Sequence, residues 1–312
     1  MIEAPVRTIS GVSLEESLRA TLAQGDAVAG TVQPVLNHLL AGPDASLFGE
    51  EILARMRGML SHLGAQLLDV PGSGVRSGDP ACTAAVIAAL RQKSEVLSHL
   101  HALALEWQIT ERLLQEFAID PITPPLLQSL LTSQEVATRE LAAKFLGSQA
   151  RWCQAQRRMQ LPLAELPQDV LDSALAASYA ALPVDSRSFA PEHQAPVIYR
   201  REASRIELAG RLLTSISNPT IDPFDVGQGG VALFMTTLAL ASGQARDRLC
   251  LSAHESQMVR LALALRAAGL SGDEIERQLF ILVPNSVLHH GFGKITSDQA
   301  ASLLAGAPHA GL

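Results

Sequence analysis

Pro80–Phe117 reads PACTAAVIAALRQKSEVLSHLHALALEWQITERLLQEF. Val86, Leu90, Leu97, Leu100, Leu103 and Leu114 recur in it at steps that place side chains on one face of an α-helix. Asp79 suits the N-cap and Pro80 the first helical position, where a missing N–H is harmless. No glycine or second proline interrupts the run, so the stretch predicts one helix reaching Phe117.

The same period extends outward in both directions. Ser13 with Glu16 forms a capping-box pair ahead of Leu14, Leu18 and Leu22, and Gly25 is expected to stop that helix. Pro34 is expected to open the next, which Gly42-Pro43 ends. A helix is expected over 46–68. Downstream of Phe117, Pro121, Pro124 and Pro125 force a turn. Further helices are predicted from Ser133 past Leu146, from Gln168 to Leu182, over 197–216, over 229–242, over 252–268 and, behind a Ser271–Glu274 capping box, over 272–282.

Composition agrees. Hydrophobic residues make up 47% of the chain and aromatics only 4%. Such a core is built from Leu and Ala, which lose little side-chain freedom in a helix. The fold class read from the sequence is all-α, a multi-helix bundle. Punctuation divides it into an N-terminal helical unit (1–70), a Gly/Ser/Pro-rich linker (71–80), a central unit (81–182), a loop or boundary (183–196) and a C-terminal unit (197–312).

Duplication of helical units is a further option. GSQARWC (147–153) resembles SGQARDRLC (242–250), and EWQITERLLQ from Glu106 resembles EASRIELAGRLL from Glu202 at nearly the same offset. Ile119-Asp120-Pro121 matches Ile221-Asp222-Pro223 at a different one. Stacked units would bury faces that no unit buries alone. Leu/Ala-rich helices also match one another by chance.

The net charge of −7 argues against a general nucleic-acid binder, which needs a basic footprint. Arg201 and Arg205 share a helix face that reads as solvated. Three cysteines far apart, with no CxxC, point to free buried thiols rather than disulfides or zinc. The apolar run 230–241 is shorter than the roughly 20 residues that span a bilayer, and no secretory signal opens the chain, so a cytoplasmic protein without an integral membrane segment is expected.

Candidate chemistry is sparse. Glu95 and His99, four residues apart, could offer two ligands to one metal. His101 lies on another face, and Glu106 follows in the same helix. The expected Lys-Gly pair of histidine phosphotransfer modules is missing after His99 and His101. His193, Glu202, Glu207 and His254 are candidate acid–base groups. Gly227, Gly229 and Gly230 precede an apolar helix and could hold an anion, although the Lys-Ser/Thr of a phosphate loop is absent. His289-His290 is a weak metal signal, because neighbouring side chains of a strand diverge. No cofactor is expected. The sequence points first to a cytoplasmic, non-enzymatic interaction or regulatory protein that binds a protein partner, or itself, through an apolar helical groove. The alternatives are an enzyme or small-ligand protein with a polar pocket between helices, and a DNA-binding regulator using the helix at 272–282.

Overall fold

A computed structural model describes residues 13–41, 50–69, 79–182, 204–216, 222–284, 287–288 and 291–306. Those residues form an all-α, multi-helix architecture without strands. The helices are α1 (Leu14–Ala41), α2 (Glu50–Leu68), α3 (Pro80–Arg91), α4 (Ser94–Phe117), α5 (Pro125–Leu131), α6 (Val136–Arg157) and α7 (Gln168–Ala181). They continue with α8 (Arg205–Thr214), α9 (Val226–Ser242), α10 (Arg246–Ser252), α11 (Met258–Ala267), α12 (Gly272–Leu282) and α13 (Ser297–Gly306).

Several ends follow the expected chemistry. Asp79 accepts from Ala81 N at 2.9 Å, with Pro80 behind it. Ser271 and Glu274 close a reciprocal capping box at the head of α12. Three expectations fail. Gly25 and Pro34 lie inside one continuous α1. Gly25 is tolerated because its backbone packs directly on the Gln257 side chain, which donates to its carbonyl. Pro34 forgoes only its bond to the Gly30 carbonyl. The 80–117 run breaks at Gln92–Lys93, where Gln92 N and Lys93 N each reach back three residues in a tight turn. The apolar run expected over 252–268 also divides: α10 ends at Ser252, and a 3₁₀ turn, Glu255–Gln257, precedes α11.

Compactness divides the chain into two units, one combining Met1–Gly30 with Ser252–Gly311 and the other spanning Thr31–Leu251. The boundary segment 183–196 lies outside the described residues, as does nearly all of 71–80. In the first unit, α11 packs on α12 and α13. Arg260, 2% exposed, meets Asp26 of α1, and Gln257 holds the Gly25 carbonyl. Gly269 (φ 99°) lets α11 end in a tight reversal: Leu270 N donates to Leu265 O, and Gly269 N to Arg266 O.

The larger unit has two apolar layers, and α4 contributes to the first. Leu53, Met56, Leu60 and Leu63 of α2 join Val86 and Leu90 of α3, the first half of α4, and Val170, Leu171 and Leu175 of α7. The second layer sets Leu126, Leu127 and Leu130 of α5 and Phe145 of α6 against Leu208 and Leu212 of α8 and Leu233 of α9. Between them Trp107 and Trp152 meet edge to face at 5.6 Å. Among the described residues no single helix is long and apolar enough to cross a membrane.

One packing contact is unusually close. A Cβ at Gly58 of α2 would lie 2.6 Å from Met159 Cβ and 2.7 Å from the Met159 carbonyl oxygen. Met159 itself holds φ at 55° in the turn after α6, so its backbone has little room to yield. Gly58→Ala is expected to cost about 1–3 kcal/mol of stability through overpacking. Gly30→Ala, where a Cβ would meet nothing within 4 Å, should instead be neutral or stabilising by up to about 1 kcal/mol. Urea unfolding followed by circular dichroism checks both.

Candidate functional site

The polar centre of the larger unit is Glu106. It lies on the face of α4 that also carries His99, two turns earlier. Val96–Ala104 bury the first half of this helix, so the carboxylate enters the interior where water cannot reach it. Its charge is answered twice. Arg205 Nη1 donates to Oε1 at 2.8 Å and Nη2 to Oε2 at 3.0 Å. Arg246 Nη2 donates to Oε1 at 2.8 Å and Nη1 to Oε2 at 3.0 Å. Both guanidinium groups thus make the bidentate pair that suits their planar fork.

Each arginine is held further. Arg205 stacks on the Trp152 ring at 4.0 Å and gives Nη1 also to Gln149 Oε1 at 3.3 Å. Gln149 in turn donates to the Pro121 carbonyl at 2.7 Å. The Arg205 backbone N–H, the first of α8, donates to Glu165 Oε2 at 3.0 Å. Arg246, the first residue of α10, donates through Nε to Thr236 Oγ1 at 3.2 Å. Its neighbour Asp247 accepts from His99 Nδ1 at 2.7 Å. On the far side of the tryptophan pair, Arg55 lies 5.1 Å over Trp107 and donates to the Gln156 carbonyl at the end of α6.

Burial alone would raise the Glu106 carboxyl. The charges and hydrogen bonds of Arg205 and Arg246 outweigh it and hold the group well below the usual carboxylate range. Arg246 responds in kind: burial opposes its charge, and Glu106 more than restores it. Glu106 and Asp247 together balance the two guanidinium charges. Cys153 and Cys250 border this cluster, and burial pushes their thiols up to about 11 and about 12. At neutral pH neither is a thiolate, the form a nucleophile or metal ligand needs.

Among the described residues, the candidates read from sequence are engaged by separate partners. Glu95 accepts from Ser173 of α7 and from Ser94, contacts that lower its pKa, Ser173 first. His99 faces Asp247 of α10, so the two are engaged by different helices. Among the described residues no group of three or more His, Cys, Asp or Glu could hold a metal ion. Glu207 closes a capping box with Ser204, donating its N–H to Ser204 Oγ at 3.3 Å and accepting from Ser204 N at 3.0 Å. His254, exposed in the other unit, accepts from Ser256 N at 3.3 Å and pairs with Ser256 Oγ at 3.1 Å. His193, Glu202 and the His289-His290 pair lie outside the described residues.

The glycine run opens α9. Asp225 caps Gly227 N at 2.8 Å, and Gly230 (φ 63°) breaks α9 after its first turn. A Cβ on Gly230 would sit 3.4 Å from Pro124, and one on Gly229 3.5 Å from Phe234 N.

Arg205 overturns its solvated reading, being 1% exposed. Gln149, Trp152, Arg246 and Asp247 lie in the two similar stretches, but nothing in the sequence ties them to Glu106. Their partners lie far along the chain, Arg205 at 99 and Arg246 at 140 residues from Glu106. The arrangement fixes helices: both carboxylate oxygens are doubly occupied, leaving Glu106 no lone pair directed at a substrate.

Glu106→Gln is expected to destabilise the chain by about 3–5 kcal/mol, because two buried guanidinium groups lose their counter-charge. It also changes the acid limb of stability. The folded pKa of Glu106 is depressed, so its contribution is complete above the unfolded value of about 4.3 and is lost as pH falls from there toward the folded value. Urea unfolding at pH 6, 4 and 3 should therefore show a shallower fall in stability for Glu106→Gln than for the parent. Neither a family model, nor a curated protein, nor a solved structure matches this chain.

Proposed function

We propose that the chain is a non-enzymatic, cytoplasmic interaction protein that binds a protein partner through an apolar helix face. The observation that supports this reading most directly is Phe280, whose side chain stands 71% exposed on α12. Aromatic side chains are enriched at protein interfaces. The interior supports it from the other side. The polar groups best placed for chemistry in the larger unit, Glu106, Arg205, Arg246 and Asp247, are already bonded to one another or to His99.

A small-ligand reading draws on one observation. His99 Nε2 is buried with no hydrogen-bond partner, while Nδ1 is committed to Asp247. A donor from a small molecule would satisfy it. The DNA reading draws on the α11–α12 hairpin, two helices joined by a tight glycine turn. Its electrostatics oppose it: the first turns of α12 present Asp273, Glu274 and Glu276, where a recognition helix meets phosphate and base edges.

Native mass spectrometry of protein purified gently from its own cells, followed by denaturing spectra of the same sample, separates these readings. The interaction reading expects an added polypeptide mass, or a second copy, that disappears on denaturation. A bare monomer would overturn it. An added mass of small-molecule size, lost in His99→Phe, would replace it with the ligand reading.

A further inference from the structure

The outer face of α12 has a definite chemical pattern. Ile275, Gln278, Leu279 and Leu282 turn inward and are buried. Asp273, Glu276, Arg277 and Phe280 are all exposed. At 100° per residue these four fall within an arc of about 100°, one stripe along the helix, with Phe280 near its middle. Glu276 forms one edge and Arg277 the other. Glu274 is consumed by the Ser271 cap, so Asp273 and Glu276 are carboxylates beyond those the helix start needs. The pattern along the stripe is therefore acid in the first turns and a large aromatic in the third.

The surrounding unit adds to this field. Among its described residues, acidic side chains outnumber basic ones by eight to five. Arg260 and Asp26 pair with each other, so each sign loses one charge from that balance. A cationic partner would be drawn to this unit, and an anionic one repelled.

Resting on the interaction reading above, we infer that this stripe is a docking surface for a basic amphipathic helix of a partner protein. The partner's apolar side chain packs on Phe280. Lysine or arginine one to two turns along reaches Glu276 and Asp273. The buried inner face keeps α12 rigid, so binding orders little of this chain.

Fluorescence anisotropy on the full chain tests this with four labelled probes. They are an 18-residue Leu/Lys amphipathic peptide, a scrambled peptide of the same composition, a Leu/Glu amphipathic peptide and a 20-base-pair DNA duplex. The expected result is selective binding of the first, weakening with added salt. Phe280→Ala should weaken it about tenfold, and Glu276→Lys by a similar factor. Leu240→Ala, which removes an exposed apolar side chain from α9, should leave it unchanged. Because Phe280 and Glu276 are exposed, unchanged melting curves would show that the variants fold. Equal binding of the scrambled peptide, preference for the acidic peptide or DNA, or indifference to both α12 variants overturns the assignment. If the Leu/Lys peptide fails to bind while native mass spectra still show a retained polypeptide, this surface falls and the interaction reading stands. If no polypeptide is retained, the interaction reading itself falls.

Discussion

A carboxylate beyond the reach of water must have its charge answered by the protein, and Glu106 is the group on which the larger unit turns. An unpaired buried carboxylate would cost several kcal/mol, or would take up a proton instead. Here it does neither, because two guanidinium groups reach it from helices remote in sequence. The demand is geometric. α8 must place Arg205, its first residue, over the Trp152 ring with its fork aligned. α10 must place Arg246, its first residue, against the other flank. Apolar packing alone tolerates sliding and exchange of similar side chains. Four charged hydrogen bonds to two oxygens do not.

The supporting contacts make the same demand at one remove. Glu165 takes the first N–H of α8, so the helix start and the side chain it carries are fixed together. Asp247, adjacent to Arg246, meets His99 two turns below Glu106 on α4. α10 therefore grips α4 at two points spaced by the helix repeat, which fixes its register as well as its position. The tryptophan pair passes the arrangement on to Arg55 and, through the Gln156 carbonyl, to the end of α6. Cation–π contacts and edge-to-face packing add ~1 kcal/mol each, small beside the charge pairing they orient.

The helices were legible because the signals that make them are local. Leucine at helical spacing, Asp79 before Pro80, and Ser271 three residues before Glu274 act within a turn or two of themselves. The misreadings have tertiary causes. Gly25 and Pro34 are helix breakers in isolation, yet burial of Leu18, Leu22, Leu36 and Leu40 carries α1 through both. The break at Gln92–Lys93 has no glycine or proline to announce it. Glu106 stood in the polar cluster read from sequence, but nothing near it in the chain pointed to Arg205 or Arg246. Arg205 looked solvated because a single helix shows periodicity and conceals what lies opposite.

The two similar stretches that suggest duplication show how little local likeness says about role. Both border Glu106. GSQARWC lies wholly within α6 and contributes Gln149, Trp152 and Cys153 to the surroundings of Arg205. SGQARDRLC straddles a helix end: Gly243 takes φ 68° as the cap of α9, and α10 begins only at Arg246. It contributes Arg246, Asp247 and Cys250. Aligned by their shared Gln-Ala-Arg, the arginine that pairs with Glu106 corresponds to Arg151, which is exposed on α6. Trp152 corresponds to Asp247, an aromatic platform to a carboxylate. Side chains at matched positions do different work because a helix interior and a helix start aim them differently. The charge on Glu106, rather than the shared motif, determines which residues of each stretch matter.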